Sequence, residues 1–119
     1  MKRVLHVEIS SLEKSLEQFG KALEQTMQGA ELESFEGIGF ESLAELLGTL
    51  TPKRWELIRR LKQEGPMTIY ALAKMLGRDY KNVRLDVKAL EEWGIIERDE
   101  VERVLVPWDE IDVRVPLAA

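Results

Sequence analysis

The stretch Thr68-Ile69-Tyr70-Ala71-Leu72-Ala73-Lys74-Met75-Leu76-Gly77-Arg78-Asp79-Tyr80-Lys81-Asn82-Val83-Arg84-Leu85-Asp86-Val87-Lys88 reads as two helices joined by a tight turn. Thr68 is an N-cap for a helix from Ile69 to Leu76, because its hydroxyl can accept an orphan amide of the first turn. Gly77 ends that helix. Asp79 caps a second helix, Tyr80 to Trp93, which Gly94 ends. Ala73 lies four residues before Gly77. A small residue there lets the two helices cross closely, and the glycine tolerates a left-handed turn. Leu72, Leu76 and Val83 fill the apolar positions around the crossing. At about 100° per residue, Lys81, Arg84 and Lys88 fall within about 60° of one another. Val83, Val87 and Leu90 occupy a distant arc, and Leu85, Ala89 and Trp93 flank the opposite side. The second helix therefore has an apolar face and a basic stripe.

Upstream, Thr51-Pro52 opens another helix, with threonine at the N-cap and proline at the first helical position. Trp55, Leu57, Ile58 and Leu61 form its apolar side, Arg54, Arg59, Arg60 and Lys62 its basic remainder, and Gly65-Pro66 stops it. Downstream, Ile95 to Arg98 and Val101 to Val106 read as two strands around a polar turn at Asp99–Glu100, with Pro107 as the break. Three helices followed by a β-ribbon is the winged helix-turn-helix order. Residues 3–9 alternate as a strand. Ser10 to Glu13 is a capping box for a helix reaching about Gln28, with Leu12, Leu16, Phe19, Leu23 and Met27 in one narrow seam. A narrow apolar seam on a charged helix suits helix pairing, so these five residues are the expected dimer contacts. Residues 28–40 are a glycine-rich acidic connector ending in a short strand at Ile38–Phe40. Leu43, Leu46, Leu47 and Leu50 mark a short helix, and Ile111, Val113 and Val115 a final strand. The expected fold is α+β: residues 1–50 a strand-helix dimerisation extension, 51–106 the winged helix-turn-helix, and 107–119 a C-terminal strand and tail.

Composition narrows the chemistry. The chain of 119 residues has no cysteine and one histidine, and its net charge is −5. Disulfides, thiolate nucleophiles, Cys-ligated zinc and two-histidine chemistry within one chain are excluded. His6 lies on the polar side of the first strand and has no partner motif. Gly37 and Gly39 lack the lysine and hydroxyl residue of a phosphate loop. No acidic residue stands in an acid–base spacing with a glycine-rich site, so no enzyme, cofactor or metal is expected. No apolar run reaches the roughly 18 residues of a membrane span. Glu8 interrupts any signal-type stretch, so a cytoplasmic location is expected. The net charge conceals an asymmetry. Residues 1–50 carry 4 basic and 9 acidic side chains, 51–90 carry 10 and 4, and 91–119 carry 3 and 9. A cationic middle between anionic ends points to a polyanionic partner.

The basic helix is shaped for a DNA major groove, about 12 Å wide. Tyr80 and Asn82 stand at its N-terminal end, where base-edge contacts usually arise. Asparagine pairs bidentately with adenine and arginine with guanine. The expected DNA-binding residues are Thr68, Arg78, Tyr80, Lys81, Asn82, Arg84 and Lys88.

The runs Leu76-Gly77-Arg78-Asp79-Tyr80-Lys81-Asn82-Val83 and Asp86-Val87-Lys88-Ala89-Leu90-Glu91-Glu92 resemble prokaryotic winged-helix transcriptional regulators of the MarR/ArsR-like class. Leu50-Thr51-Pro52-Lys53-Arg54 and Val106-Pro107-Trp108-Asp109-Glu110-Ile111 are similar to segments of small DNA-binding proteins within that class. The resemblance implies a homodimer on a palindromic operator of double-stranded DNA. Some members resemble antitoxins, which implies a small toxin as a further partner. Two features depart from the pattern. Asp86 stands where an apolar residue is common, and either pairs with a basic neighbour or caps a backbone. The expected wing, Glu97 to Arg103, has four acids against two arginines. Phosphate repels such a ribbon, so contact requires Arg98 or Arg103 to reach past the acids. These departures support a second reading, a protein-interaction module that keeps the scaffold without DNA binding.

Overall fold

The computed structural model describes residues 2–9 and 36–117. The expected helix over 10–28, with Leu12, Leu16, Phe19, Leu23 and Met27, lies outside the described residues. The fold is α+β. The elements are β1 (Val4–Ile9), β2 (Gly37–Phe40), α1 (Leu43–Thr49), α2 (Pro52–Glu64), α3 (Ile69–Leu76), α4 (Tyr80–Glu92), β3 (Glu97–Arg98), β4 (Val104–Leu105) and β5 (Glu110–Arg114). Among the described residues, 2–3 and 47–109 form one compact unit, and 4–9, 36–46 and 110–117 form another.

The smaller unit is a three-stranded sheet in the order β2-β1-β5. Both pairings are parallel. Val7 lies opposite Ile38 on one side, and Leu5 and Val7 lie opposite Ile111 and Val113 on the other. β1 is thus the central strand, with a neighbour on each side. Alternation describes a strand's two faces and carries no information about its neighbours. Leu5, Val7 and Phe40 are buried. His6 faces Asp112 across the β1–β5 pair, with Nδ1 3.4 Å from Oδ2. The final strand keeps less apolar cover than its pattern implies, because Val113 and Val115 remain over a third exposed.

The larger unit is helical with a short ribbon. The Thr51 hydroxyl accepts the Arg54 amide at 3.3 Å and starts α2, and the Thr68 hydroxyl accepts the Ala71 amide at 3.1 Å and starts α3. Each cap contributes about 1 kcal/mol. α3 ends at Gly77 with φ 66°, whose amide reaches the Lys74 carbonyl while the Arg78 amide donates to Ala73. This left-handed closure puts α4 against α3 within a turn of two further residues. Leu57, Leu61, Leu72, Val83, Val87 and Leu90 have no exposed surface and form the core between the helices.

The ribbon is shorter than its apolar runs suggest, with β3 and β4 two residues each. Two competing demands explain the difference. Ile95 and Ile96 are drawn into the end of α4, where both amides donate to the Leu90 carbonyl at 3.0 and 3.4 Å. Beyond β3, Asp99 folds the chain into a turn, accepting the Val101 and Arg103 amides at 3.0 and 2.9 Å. Val104, opposite Arg98 in the ribbon, pairs on its other side with Met67, through bonds of 2.7 and 3.1 Å. Trp108 closes the unit. Its indole N–H donates to the Gly94 carbonyl at 3.0 Å, and the Arg3 guanidinium lies 4.5 Å above its ring.

Candidate functional site

The capped start of α4 and the packing of Val83, Val87 and Leu90 into the core dictate which side of this helix faces outward. Asp79 accepts the Asn82 amide at 3.3 Å and so fixes the first turn. Tyr80, Lys81, Asn82, Arg84, Leu85 and Lys88 are all exposed. Lys81, Arg84 and Lys88 have no ion-pair partner among the described residues, so their charges act on whatever approaches this face. A fixed row of unpaired cations on a rigid helix attracts polyanions. At its C-terminal end the stripe meets a shallow groove of about 430 Å³ lined by Arg84, Lys88, Glu91, Glu92 and Arg98.

Not every expected site residue joins this row. Arg78 turns back towards the protein, and its Nη2 donates to Asp86 Oδ2 at 2.7 Å. Asp86 Oδ1 accepts from Arg54 Nε at 3.1 Å, and Arg54 also donates from Nη1 to the Thr49 carbonyl at 2.9 Å. All three side chains are less than a quarter exposed. One carboxylate thus ties the start of α2, the turn after α3 and the middle of α4. Of the two roles open to Asp86 from the sequence, pairing with basic neighbours is the one realised. Thr68 is exposed at the start of α3. Its oxygen caps the helix, while its proton stays available to an outside acceptor.

The sequence projection puts Leu85 on a flank with Ala89 and Trp93. Ala89 and Trp93 are half-buried, but Leu85 is 56% exposed. It stands among the cations rather than beside the core. Tyr70 on α3 is 69% exposed, and Tyr80 at the start of α4 is 47% exposed.

The ribbon has a different character. Arg98 lies against Glu91 with Nε 3.1 and 3.0 Å from its two oxygens, and its Nη1 donates to Glu102 at 3.3 Å. The Glu91 hydrogen bonds raise the Arg98 pKa above its usual value, against an opposing effect of burial. Arg103 Nε donates to Asp99 at 2.8 Å. The backbone N–H of Arg103 holds the Asp99 carboxyl below the ordinary carboxylate range, with the Arg103 side chain and the Val101 amide adding to the effect. Both ribbon arginines are therefore neutralised by neighbouring acids. The turn is built with Glu102 at φ 64° and leaves Glu97 and Glu100 exposed.

No group of three His, Cys, Asp or Glu side chains able to hold a metal ion occurs among the described residues. No helix among them is long and apolar enough to cross a membrane. Residues 49–113 match the HVO_A0114 family, a span of more than half the chain, and the chain belongs to that family. No match to the chain is found among curated proteins.

Proposed function

We propose that this member of the HVO_A0114 family is a cytoplasmic, homodimeric, sequence-specific DNA-binding regulator of transcription, built on a winged helix-turn-helix. In this reading α3 and α4 are the two helices of the motif, and α4 lies in the major groove. The observation that carries it is the exposed, unpaired row Lys81–Arg84–Lys88 on a capped helix whose opposite side is locked into the core. Lys81 and Lys88 meet phosphates, and Asn82 and Arg84 meet base edges. In this reading Tyr80 and Thr68 donate to the phosphate backbone. Arg78 acts mainly through Asp86, by holding α4 in position. The ribbon stays away from phosphate, because its arginines are already paired with acids.

One recognition helix makes few contacts, so two copies related by a two-fold axis engage half-sites about 34–36 Å apart. The seam Leu12–Leu16–Phe19–Leu23–Met27 is the proposed dimer contact. The reading needs no cofactor and no catalysis. Selection from a randomised duplex library tests it. A palindromic sequence should be enriched, and Arg84→Ala should relax the choice of base at one position in each half-site. Failure to enrich any sequence, with no retention on heparin, rejects the reading.

The acidic ribbon favours a second reading, a protein-interaction module such as an antitoxin that grips a small basic toxin. In that case the ribbon variants Glu97→Lys and Glu100→Lys would abolish partner binding, while Lys81→Ala would leave it intact.

A further inference from the structure

We infer that Leu85 is a specificity-determining residue of the proposed DNA-binding face, and that it reads the 5-methyl group of thymine. The inference rests on the DNA-binding reading and adds a chemical preference to it. Leu85 is a large aliphatic side chain on a well-packed helix, yet it is 56% exposed. At about 100° per residue it lies about 140–160° from Val83, Val87 and Leu90, nearly opposite the core. It lies only about 40° from Lys81 and about 60° from Lys88. Along the outward side of α4, Leu85 is thus an apolar centre with Lys81 before it and Lys88 after it, and the exposed Glu92, about 20° from Leu85, stands one turn beyond Lys88.

That order of groups suits one occupant. The charges select a polyanion, and the position on the helix puts Leu85 where a groove-bound helix approaches closest to the base edges. In the major groove the only apolar feature of a base pair is the thymine methyl. A leucine there cannot satisfy the donors and acceptors of guanine, cytosine or adenine, and burying it against them strands polar groups. Against thymine it covers a methyl and removes its own exposed surface from water. Lysines on both sides can rise to the phosphates and leave the floor of the groove to Leu85.

The test replaces thymine by deoxyuridine, which removes the methyl and leaves every hydrogen-bonding group in place. The probe is the duplex enriched by the wild type from a randomised library, remade with deoxyuridine at each thymine in turn. The wild type should lose about fourfold in affinity for each methyl that Leu85 covers. Leu85→Ala, which alters both copies of the dimer, should bind the thymine duplex about sixteenfold more weakly than the wild type, about fourfold in each half-site, and be indifferent to deoxyuridine at the same position. The exposure of Leu85 lets the variant fold normally, and its circular dichroism should match the wild type. Equal loss in the wild type and Leu85→Ala overturns the inference and leaves DNA binding standing. So does an enriched site in which no thymine responds to the replacement. A change in oligomeric state in Leu85→Ala, with DNA contacts unaltered, assigns the residue to a protein interface and also overturns it. Absence of any duplex binding by the wild type rejects the parent reading itself.

Discussion

Asp86 is a carboxylate in the middle of α4, and it accepts from two guanidinium groups at once. Charge-assisted hydrogen bonds among side chains this well covered are among the stronger polar contacts in a small domain. Asp86→Ala should lower the unfolding free energy by about 2 kcal/mol, because Arg54 and Arg78 are then left partly buried without their acceptor. Thermal and urea unfolding read this directly, and an unchanged midpoint would show that solvent replaces the carboxylate at no cost. Asp99 couples the ribbon to pH. Its carboxyl is held below the ordinary carboxylate range by the Arg103 amide. A group with a depressed folded pKa stabilises the fold at any pH above its unfolded value, and that contribution is lost as the pH falls through the folded value. The ribbon turn should therefore hold down to about pH 4, near the unfolded aspartate value, and loosen only below it. Carboxyl-carbon titration by NMR should show Asp99 titrating late in acid, and Asp99→Asn should remove the acid step in the ribbon amides.

At the scale of elements, the α3–turn–α4 unit is the most local piece of the fold. Its caps and its Gly77 closure are set by neighbouring residues in the chain, which is why Thr68, Gly77 and Asp79 are legible in the sequence alone. Ala73 is 4% exposed where α3 packs on α4. Ala73→Leu should cost about 1–3 kcal/mol by overpacking, as urea unfolding would show. An Ala73→Leu variant as stable as the wild type would mean that the helices do not meet there. The ribbon is legible only in kind. Its strands shrink because the end of α4 captures the Ile95 and Ile96 amides and because the Asp99 carboxylate holds the Val101 and Arg103 amides in a turn. Neither partner is visible in an alternation of apolar residues. The basic stripe emerges from helical projection, whereas the triad Arg54–Asp86–Arg78 does not. Residues 54 and 86 come together only through packing, and the one signal in the sequence is a charge at an expected apolar position. Projection with the core in mind puts Leu85 on a flank, because an aliphatic residue is assumed to seek cover, and the observed exposure reverses that.

At the scale of the molecule, the parallel sheet draws together segments that the sequence shows only as separate strands. β1 takes β5 from the far end of the chain as one neighbour and β2 as the other. A parallel pair needs a connection of a dozen or more residues, which the chain between Ile9 and Gly37 is long enough to supply. Assembly belongs to this scale too. If the seam of Leu12, Leu16, Phe19, Leu23 and Met27 joins two copies, Leu16→Glu with Leu23→Glu should give monomers that keep the circular dichroism of residues 51–106. Sedimentation of the wild type as a monomer at tens of micromolar would make the seam part of one chain's own core.

The most direct measurement is the dependence of duplex affinity on salt for the wild type, Lys81→Ala and Arg84→Ala. A face that neutralises phosphates releases counterions, so log K should fall linearly with log salt, at about 0.9 per contact. Lys81→Ala should reduce that slope by about one unit, and Arg84→Ala should cost about 1–3 kcal/mol chiefly on the selected sequence. An affinity that does not change with salt, or slopes identical in all three proteins, would contradict DNA binding through α4.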